Sequence, residues 1–354
     1  DAPTSEYTFT VTNYGITVSA DNAEALIGGL NRLAHMLNLA KKENTQLHLN
    51  VGYTCPFEFT PLDGEYAISF IDTFSSFDRS FWVDAESPYY GNTKYINSNG
   101  KEADARKYTL NTIKAETNAG RLVLPAGKIT DKNGKTAFYS SGISTKDTMN
   151  YKYGVLEVRA KIGATPLCSS IWLKGVEKNS ETGHFPEVDV FETNWQSDDN
   201  DKKLGFNVHW WDTKDVSKNI GARWSNNDKS FSNDFHTYTV VWTPDAYTVY
   251  VDGVQYGNYS IKDGSLGANE AETFRQPMSL ILSCGIAGVN YGPMYDETNS
   301  KHSEPFSNYE IDYIKISQRA SDGGLMNITR KSDTEVKKTT EQHEKLLKDF
   351  GLTN

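Results

Sequence analysis

The feature that most restricts the fold of this chain is a long series of short strand-like segments. Between residues 67 and 318, runs rich in valine, isoleucine and aromatic residues are separated by glycine, asparagine and aspartate. No helical pattern of any length interrupts the series before the C-terminal tail. Short segments of this kind with turn residues between them are typical of a β-sandwich. The sequence therefore predicts an all-β domain at residues 63–318.

The residues before this domain follow a different pattern. Residues 7–11 and 15–19 alternate as the two strands of a hairpin would, and residues 47–51 resemble a third strand. Apolar residues within 23–37 recur at helical spacing. The sequence thus predicts a small N-terminal β-β-α-β unit at residues 1–62. A unit of this size buries little apolar surface alone, so we expect it to pack on the main domain.

The tail, residues 319–354, is polar. Residues 336–350 combine lysine and glutamate with a few apolar positions, which favours a short exposed helix or a linker. A disordered tail is the alternative.

Composition and motifs exclude several classes of function. A net charge of −10 argues against nucleic-acid binding, which needs a basic surface. No apolar run is long enough for a membrane helix, and no phosphate-binding loop or HExxH metal motif occurs. Three cysteines at Cys55, Cys168 and Cys284 lack metal-ligand spacing. The first five residues are typical of a processed mature start. We expect a secreted or cell-surface monomer that requires no cofactor.

One strand-like segment, residues 187–192, carries three carboxylates. Val188 and Val190 alternate with Glu187 and Asp189, so the valines would face a core and the acids a wet surface. A regular strand would place Glu192 on the opposite face from Glu187. One extra residue in a β-bulge at Val190 or Phe191 would return Glu192 to the acidic face.

Three carboxylates on one face suit the cleavage of a glycosidic bond with retention. That reaction takes a nucleophile and an acid/base about 5–5.5 Å apart. Since clustered carboxylates repel one another, we expect one glutamate to keep a raised pKa, as a general acid requires. The spacing alone does not order the two glutamates. The competing interpretation is a solvated acidic strand face without chemistry.

The motifs around this strand resemble glycoside hydrolase family 16. In chain order they are Tyr153-Gly154 with Glu157-x-Arg159-x-Lys161, Ser170-Ile171-Trp172-Leu173, Glu187-x-Asp189-x-x-Glu192, Phe235-His236-Thr237-Tyr238, Trp242-Thr243-Pro244-Asp245, Tyr250-Val251-Asp252-Gly253, residues 276–282 and residues 309–316. The similarity extends over about residues 66–318. It implies a jelly roll of two curved antiparallel sheets with a substrate cleft across the concave one.

The resemblance also implies roles for the trio. Glu187 would be the nucleophile, Asp189 its assisting carboxylate, and Glu192 the acid/base. It implies further that Asp312 helps to bind a structural calcium ion on the convex face.

Aromatic and polar residues near the trio are candidates for binding substrate. By resemblance, Trp172 lines the cleft, although a core tryptophan is the alternative. Trp195 and Trp210 are candidate sugar platforms, but Trp210 and Trp211 are adjacent and point to opposite faces of a strand, so only one of these two can line the cleft. His209 would bind substrate or the acid/base, or else pair across the sheet.

One further candidate is Asn290, which lies in a glycine-rich loop that would reach the cleft rim.

These observations predict a retaining, endo-acting hydrolase of a β-linked polysaccharide. Ser169 and Ser170 stand where glucan-cleaving members often carry Trp-Pro-Ala, which favours an agar-, porphyran- or carrageenan-type galactan. A laminarinase-like endo-β-1,3(4)-glucanase is the close alternative. A transglycosylase would differ only in that a sugar, rather than water, accepts the glycosyl group from the intermediate. A carbohydrate-binding jelly roll without catalysis is the alternative from another class, and the complete carboxylate trio argues against it.

Overall fold

β-Strands dominate the computed structural model. It describes residues 7–12, 15–20, 26, 30, 53–55, 66–74, 76–85, 92–109, 112–116, 119–130, 133–134, 136–164, 166–178, 183–193, 200–211, 217–225, 230–262, 268–286, 295–302 and 306–349. The predicted all-β class is confirmed.

The strands are numbered here in chain order. They are β1 (Tyr7–Thr12), β2 (Gly15–Ala20), β3 (Tyr53–Cys55), β4 (Ala67–Asp72), β5 (Val83–Asp84), β6 (Asn92–Ile96), β7 (Glu102–Thr109), β8 (Thr112–Glu116), β9 (Ala119–Leu124), β10 (Gly127–Thr130), β11 (Thr136–Ser144), β12 (Met149–Lys152), β13 (Gly154–Lys161), β14 (Leu167–Gly175), β15 (Glu187–Thr193), β16 (Lys203–Trp211), β17 (Ser217–Ser225), β18 (His236–Trp242), β19 (Ala246–Val251), β20 (Val254–Ser260), β21 (Met278–Ile286), β22 (Tyr295–Asp296), β23 (Tyr309–Gln318) and β24 (Leu325–Ile328). The helices are α1 (Ala268–Thr273) and α2 (Asp333–Asp349), with 3₁₀ turns at Asn200–Lys202, Ser300–His302 and Ala320–Asp322.

Two large sheets form the main domain. The first, called the site sheet because it contains β15, has the order β17-β16-β15-β14-β21-β11-β7-β6-β22, with β5, β10, β12 and β24 pairing at its margins. The second, called the opposing sheet, has the order β20-β19-β18-β13-β23-β9-β8, with β4 also on β23. Most pairs are antiparallel, and the parallel ones are β7 with β11 and β6 with β22 in the part of the chain described.

The core lies between these sheets. Phe191 of the site sheet stacks on Tyr238 of the opposing sheet, with ring centroids 4.2 Å apart. Tyr151 similarly meets Trp242 edge to face at 5.6 Å. Each of these side chains is at least 99% buried. Burying a large apolar side chain contributes about 1.5–3 kcal/mol, so contacts of this kind hold the two sheets together.

The N-terminal strands form a separate sheet of order β2-β1-β3. The predicted hairpin of β1 and β2 is present. The strand predicted at residues 47–51 and most of the predicted helix lie outside the described residues. The α/β character of residues 1–62 and its packing on the main domain therefore stay predictions.

The C-terminal segment is more structured than a polar tail. Residues Leu325–Ile328 add a strand, β24, to the margin of the site sheet by pairing with β12. The following helix, Asp333–Asp349, coincides with the segment for which the sequence favours a short helix or a linker. Ser332 precedes this helix, and its hydroxyl and backbone N–H both donate to the Glu335 carboxylate, as in a capping box.

Candidate active site

A β-bulge interrupts β15 at its centre. In the pairing with β14, Asp189 stands opposite Trp172 and Phe191 opposite Ile171, so Val190 is the extra residue. The pairing with β16 shifts between Asp189 and Glu192 as well. The bulge predicted at Val190 or Phe191 is thus confirmed. The sequence explains the bulge, because the consecutive apolar residues Val190 and Phe191 break the alternation of apolar and polar positions.

The bulge sorts the side chains of β15 onto two faces. Val188, Val190 and Phe191 are at most 2% exposed and pack in the core. Glu187 and Glu192 are half-buried, and Asp189 is 2% exposed. With the extra residue absorbed on the core side, Glu187, Asp189 and Glu192 share the other face. This face of the site sheet is called the acidic face below.

His209 joins the trio from the neighbouring strand. It stands opposite Glu187 in the register of β15 and β16. Its Nε2 lies 2.8 Å from Oδ2 of Asp189. Glu187, Asp189 and His209 each offer a polar atom within 4.8 Å of the others. The structure thus shows the cross-sheet alternative for His209, whose partner is Asp189. A contact of His209 with substrate or with Glu192 stays a prediction.

The charge state of Glu187 is set by opposing effects. Burial raises the pKa of Glu187 above its ordinary value, because a buried carboxylate loses hydration. The charges of His209 and then Lys174 act in the other direction. Lys174 stands opposite Glu187 in the register of β14 and β15. The sequence predicts a raised pKa for the glutamate that acts as the general acid, whereas the structure raises the pKa of Glu187, which the family resemblance makes the nucleophile.

Trp172 lies on the acidic face. It is paired with Asp189 across β14 and β15, and it is half-buried. Its Nε1 donates to Oγ of Ser283 on β21, 3.2 Å away. That oxygen also lies 2.8 Å from Oγ of Ser170, which stands opposite Glu192. A hydroxyl pair thus anchors the indole beside the carboxylates, and the alternative of a core tryptophan does not hold.

Trp210 has a different position from the one expected. Its ring meets Phe274 edge to face at 6.3 Å and packs against the hydrophobic core. Since side chains alternate along β16, Trp210 points away from the face that His209 occupies. The expectation that Trp210 binds substrate is corrected accordingly.

The binding of substrate by the remaining candidates stays a prediction. Trp195 and Asn290 lie outside the described residues, and so does the side chain of Trp211.

The residues around Asp312 do not fit a calcium site. One carboxylate oxygen of Asp312 accepts a hydrogen bond from Nη1 of Arg159 at 2.6 Å, and both side chains are almost wholly buried. A guanidinium at that distance repels a second cation, and calcium needs several oxygen ligands. Glu157, two residues before Arg159 on β13, contacts Lys315 at 2.9 Å and Tyr313 at 2.7 Å.

Three residues near the trio carried no signal in the sequence. Lys174 and Ser283 reach it through strand pairing, and Tyr256 reaches it from the opposing sheet, where its hydroxyl contacts the backbone of Val190. Tyr256 and Val190 are 66 positions apart, so no local pattern links them.

Among the helices that the structure describes, none combines the length and the apolar character that crossing a membrane requires.

Comparison with curated proteins finds distant relatives. A glucan endo-1,3-beta-glucosidase A1 of Niallia circulans is 27% identical over 257 residues, which cover 68% of this chain and 36% of that protein. A keratan-sulfate endo-1,4-beta-galactosidase of Sphingobacterium multivorum is 24% identical over 263 residues, which cover 71% of this chain and 55% of that protein. The chain therefore spans only about a third to a half of these relatives.

Comparison with solved structures agrees on the fold. A glycoside hydrolase family 16 endo-glucanase from Bacteroides ovatus superimposes with a TM-score of 0.52 at 19% identity, covering 70% of this chain and 99% of the other. The expected jelly-roll sandwich is thereby confirmed. The family model described as glycosyl hydrolases family 16 matches residues 92–315, which is more than half of the chain and includes the whole acidic strand. The chain belongs to glycosyl hydrolases family 16.

Proposed function

We propose that the protein is a retaining, endo-acting hydrolase of a β-linked polysaccharide. The observation that carries the proposal is the bulge in β15, which brings Glu187, Asp189 and Glu192 to one face. Retention takes two carboxyl groups on either side of the scissile bond. Glu187 and Glu192 are an odd number of positions apart on one strand, so they share a face only when the alternation is broken between them.

The roles follow from charge and position. Glu187 attacks the anomeric carbon and forms a covalent glycosyl-enzyme, while Glu192 protonates the leaving oxygen. Asp189 lies 2.8 Å from His209 and assists Glu187 from the same face of the strand. Glu192, now a carboxylate, then takes a proton from water while the water oxygen attacks the anomeric carbon, which breaks the ester bond to Glu187 and releases the sugar. His209 and Lys174 both lower the pKa of Glu187, and so favour the ionised nucleophile against the effect of its burial.

The substrate class is a galactan, with a glucan as the alternative that fits no worse. The galactan is favoured by the small Ser169-Ser170 pair in the stretch before Ile171, where glucan-cleaving members often carry Trp-Pro-Ala. The similarity to an endo-1,4-beta-galactosidase points the same way. The similarity to a glucan endo-1,3-beta-glucosidase supports the glucan alternative equally well. We also propose that the protein acts as a monomer outside the cell or at its surface, where a polymer too large to cross a membrane is accessible.

The decisive experiment is a polysaccharide screen. Agarose, porphyran, carrageenans, laminarin and lichenan are each incubated with the protein, and new reducing ends and viscosity are followed together. An endo-enzyme lowers viscosity early, before many reducing ends appear. The anomeric configuration of the first product, observed by proton NMR, tests retention, and oligosaccharides longer than the substrate would reveal transglycosylation.

The binding alternative has its own outcome in this screen. A carbohydrate-binding protein without catalysis would retain a polymer on an affinity gel and release no reducing ends from any substrate. Glu187→Gln serves as the control, because it should retain the polymer and lose turnover if the protein is an enzyme.

A further inference from the structure

The bulge in β15 leaves one backbone carbonyl in need of a partner. Val190 is the residue that the register with β14 skips, and the register with β16 also shifts around it. An inserted residue disrupts the ladder of hydrogen bonds locally, and a buried carbonyl without a partner is costly. Val190 is 2% exposed, so bulk water does not meet this need.

Tyr256 supplies the partner from the opposing sheet. Its hydroxyl donates to the carbonyl oxygen of Val190 at 2.6 Å. Burial raises the pKa of the Tyr256 phenol far above its ordinary value, and the charge of Asp189 adds to this effect. The phenol therefore stays protonated at any working pH, and it acts as a permanent donor to the bulge.

A second contact holds the other residue of the bulge. Phe191 stacks on Tyr238 with ring centroids 4.2 Å apart and planes inclined by 17°. Both bulged residues, Val190 and Phe191, are thus held by side chains of the opposing sheet. The hydrogen bond differs from the stack in that it is directional, because it orients the peptide group between Val190 and Phe191.

We propose that Tyr256 is a positioning residue for the reaction, which rests on the proposed function. Its hydroxyl fixes the bulge, and the bulge determines where Glu192 stands relative to Glu187. A slip of one residue moves every following side chain to the other face of a strand. Misplacing a reacting group by about 1 Å costs about 100-fold in rate. A hydrogen bond in the core between the sheets therefore governs the geometry of the acid/base on the acidic face.

The test compares two tyrosines of the same strand. Tyr256→Phe removes the donor and keeps the ring. Tyr259→Phe, the matched control, removes a buried hydroxyl of β20 from a tyrosine that stands opposite Tyr247 of β19. We expect Tyr256→Phe to lower kcat by about 10- to 100-fold with KM within about twofold, and Tyr259→Phe to keep kcat within about twofold. The basic limb of the pH profile should also move to lower pH in Tyr256→Phe, because an acid displaced from Glu187 is less affected by its charge.

Rescue by a conservative variant completes the test. Replacing Tyr256 with 4-aminophenylalanine restores an N–H donor at the same reach, and it should recover most of the lost kcat. This variant also decides the matter if Tyr256→Phe does not fold. A folded 4-aminophenylalanine variant with kcat as low as Tyr256→Phe, or a folded Tyr256→Phe with the kcat and pH profile of the wild type, would overturn the proposal.

Failure of the proposed function is recognised separately. If the wild-type protein cleaves none of the polysaccharides, the hydrolase assignment falls, and crystal structures of Tyr256→Phe and Tyr259→Phe then judge the positioning role. We expect the Glu192 carboxylate to be displaced in Tyr256→Phe and unmoved in Tyr259→Phe. An unmoved Glu192 and an intact bulge in both variants would disprove it.

Discussion

His209 touches one carboxylate of the trio and stands opposite another. Its Nε2 lies 2.8 Å from Oδ2 of Asp189, and its strand register places it across from Glu187. Removing the imidazole therefore takes a partner from Asp189 and a favourable charge from Glu187. Of the charges around Glu187, that of His209 lowers its pKa the most.

The first prediction concerns the pH dependence of activity. Burial raises the pKa of Glu187, and His209 lowers it. Because His209→Ala removes the lowering effect, the pKa of Glu187 rises further in this variant. A nucleophile must be ionised, so activity is lost as pH falls through this pKa. The acidic limb of kcat/KM should move to higher pH in His209→Ala. A limb that stays in place would contradict the electrostatic account of Glu187.

Lys174 offers a parallel prediction with a matched control. Lys174 and Lys178 both lie over the ring of Phe185, with Nζ 5.4 and 5.5 Å from its centroid. Of these two lysines, Lys174 lowers the pKa of Glu187 through its charge. Lys174→Met should move the acidic limb of kcat/KM to higher pH, by less than His209→Ala does. Lys178→Met should leave the limb where it is, and equal shifts in both variants would point to a general effect of surface charge.

Phe191 should combine a stability effect with an effect on activity. Its side chain is fully buried and stacks on Tyr238. Phe191→Ala should lower the free energy of unfolding by about 3–5 kcal/mol, measured by urea titration. Phe138 is equally buried but lies on β11, so Phe138→Ala should cost a similar amount while kcat measured well below the melting temperature is retained. Phe191→Ala should lose kcat as well, and retention of full kcat would show that the bulge does not need this stack.

Arg159 and Asp312 form a buried ion pair at the position where the family resemblance implies a calcium site. Asp312→Asn leaves the Arg159 guanidinium without a countercharge in a buried position, which should lower the free energy of unfolding by about 3–5 kcal/mol. The exposed pair of Lys262 and Asp245 is the control, and Lys262→Met should have little effect. Adding calcium or a chelator should leave the melting temperature of the wild type unchanged. A clear rise with calcium would reinstate a metal site.

The alternation of side chains along a strand is sufficient to predict the structure of the strand that carries the three carboxylates. Alternation along residues 187–192 is broken at a definite point, so the bulge and the shared face of Glu187 and Glu192 could be predicted. The same rule stated that adjacent Trp210 and Trp211 point oppositely. Alternation alone could not tell which of the two tryptophans faces the core. That choice is set by the pairing of Glu187 with His209, which joins distant parts of the chain.

Contacts between distant strands explain the other differences. Glu157 and Arg159 lie two positions apart on β13, but the pairing of β13 with β23 brings Lys315 to Glu157 and Asp312 to Arg159. No local pattern in the sequence points to Tyr256, because its contact with Val190 depends on how the two sheets face each other. Strand period is encoded locally, whereas register and sheet-to-sheet contact depend on the whole fold.

The last prediction separates the roles of the two glutamates. Glu187 and Glu192 share one face, so either could be the nucleophile on placement alone. A nucleophile must be ionised and an acid protonated at the same pH. If Asp189 holds a proton near Glu187, Glu187 keeps its charge, and that charge favours a protonated Glu192 by repulsion between like charges.

Each variant is given an aryl β-glycoside with a good leaving group, together with azide. In Glu192→Gln the leaving group needs no proton, so Glu187 still forms the covalent intermediate, and azide displaces it to give a β-azide. In Glu187→Gln no intermediate forms, and azide attacks the substrate directly to give an inverted α-azide. Without azide, both variants should lose at least about 100-fold in turnover of polysaccharide. An α-azide from Glu192→Gln and a β-azide from Glu187→Gln would mean that the two glutamates have exchanged roles.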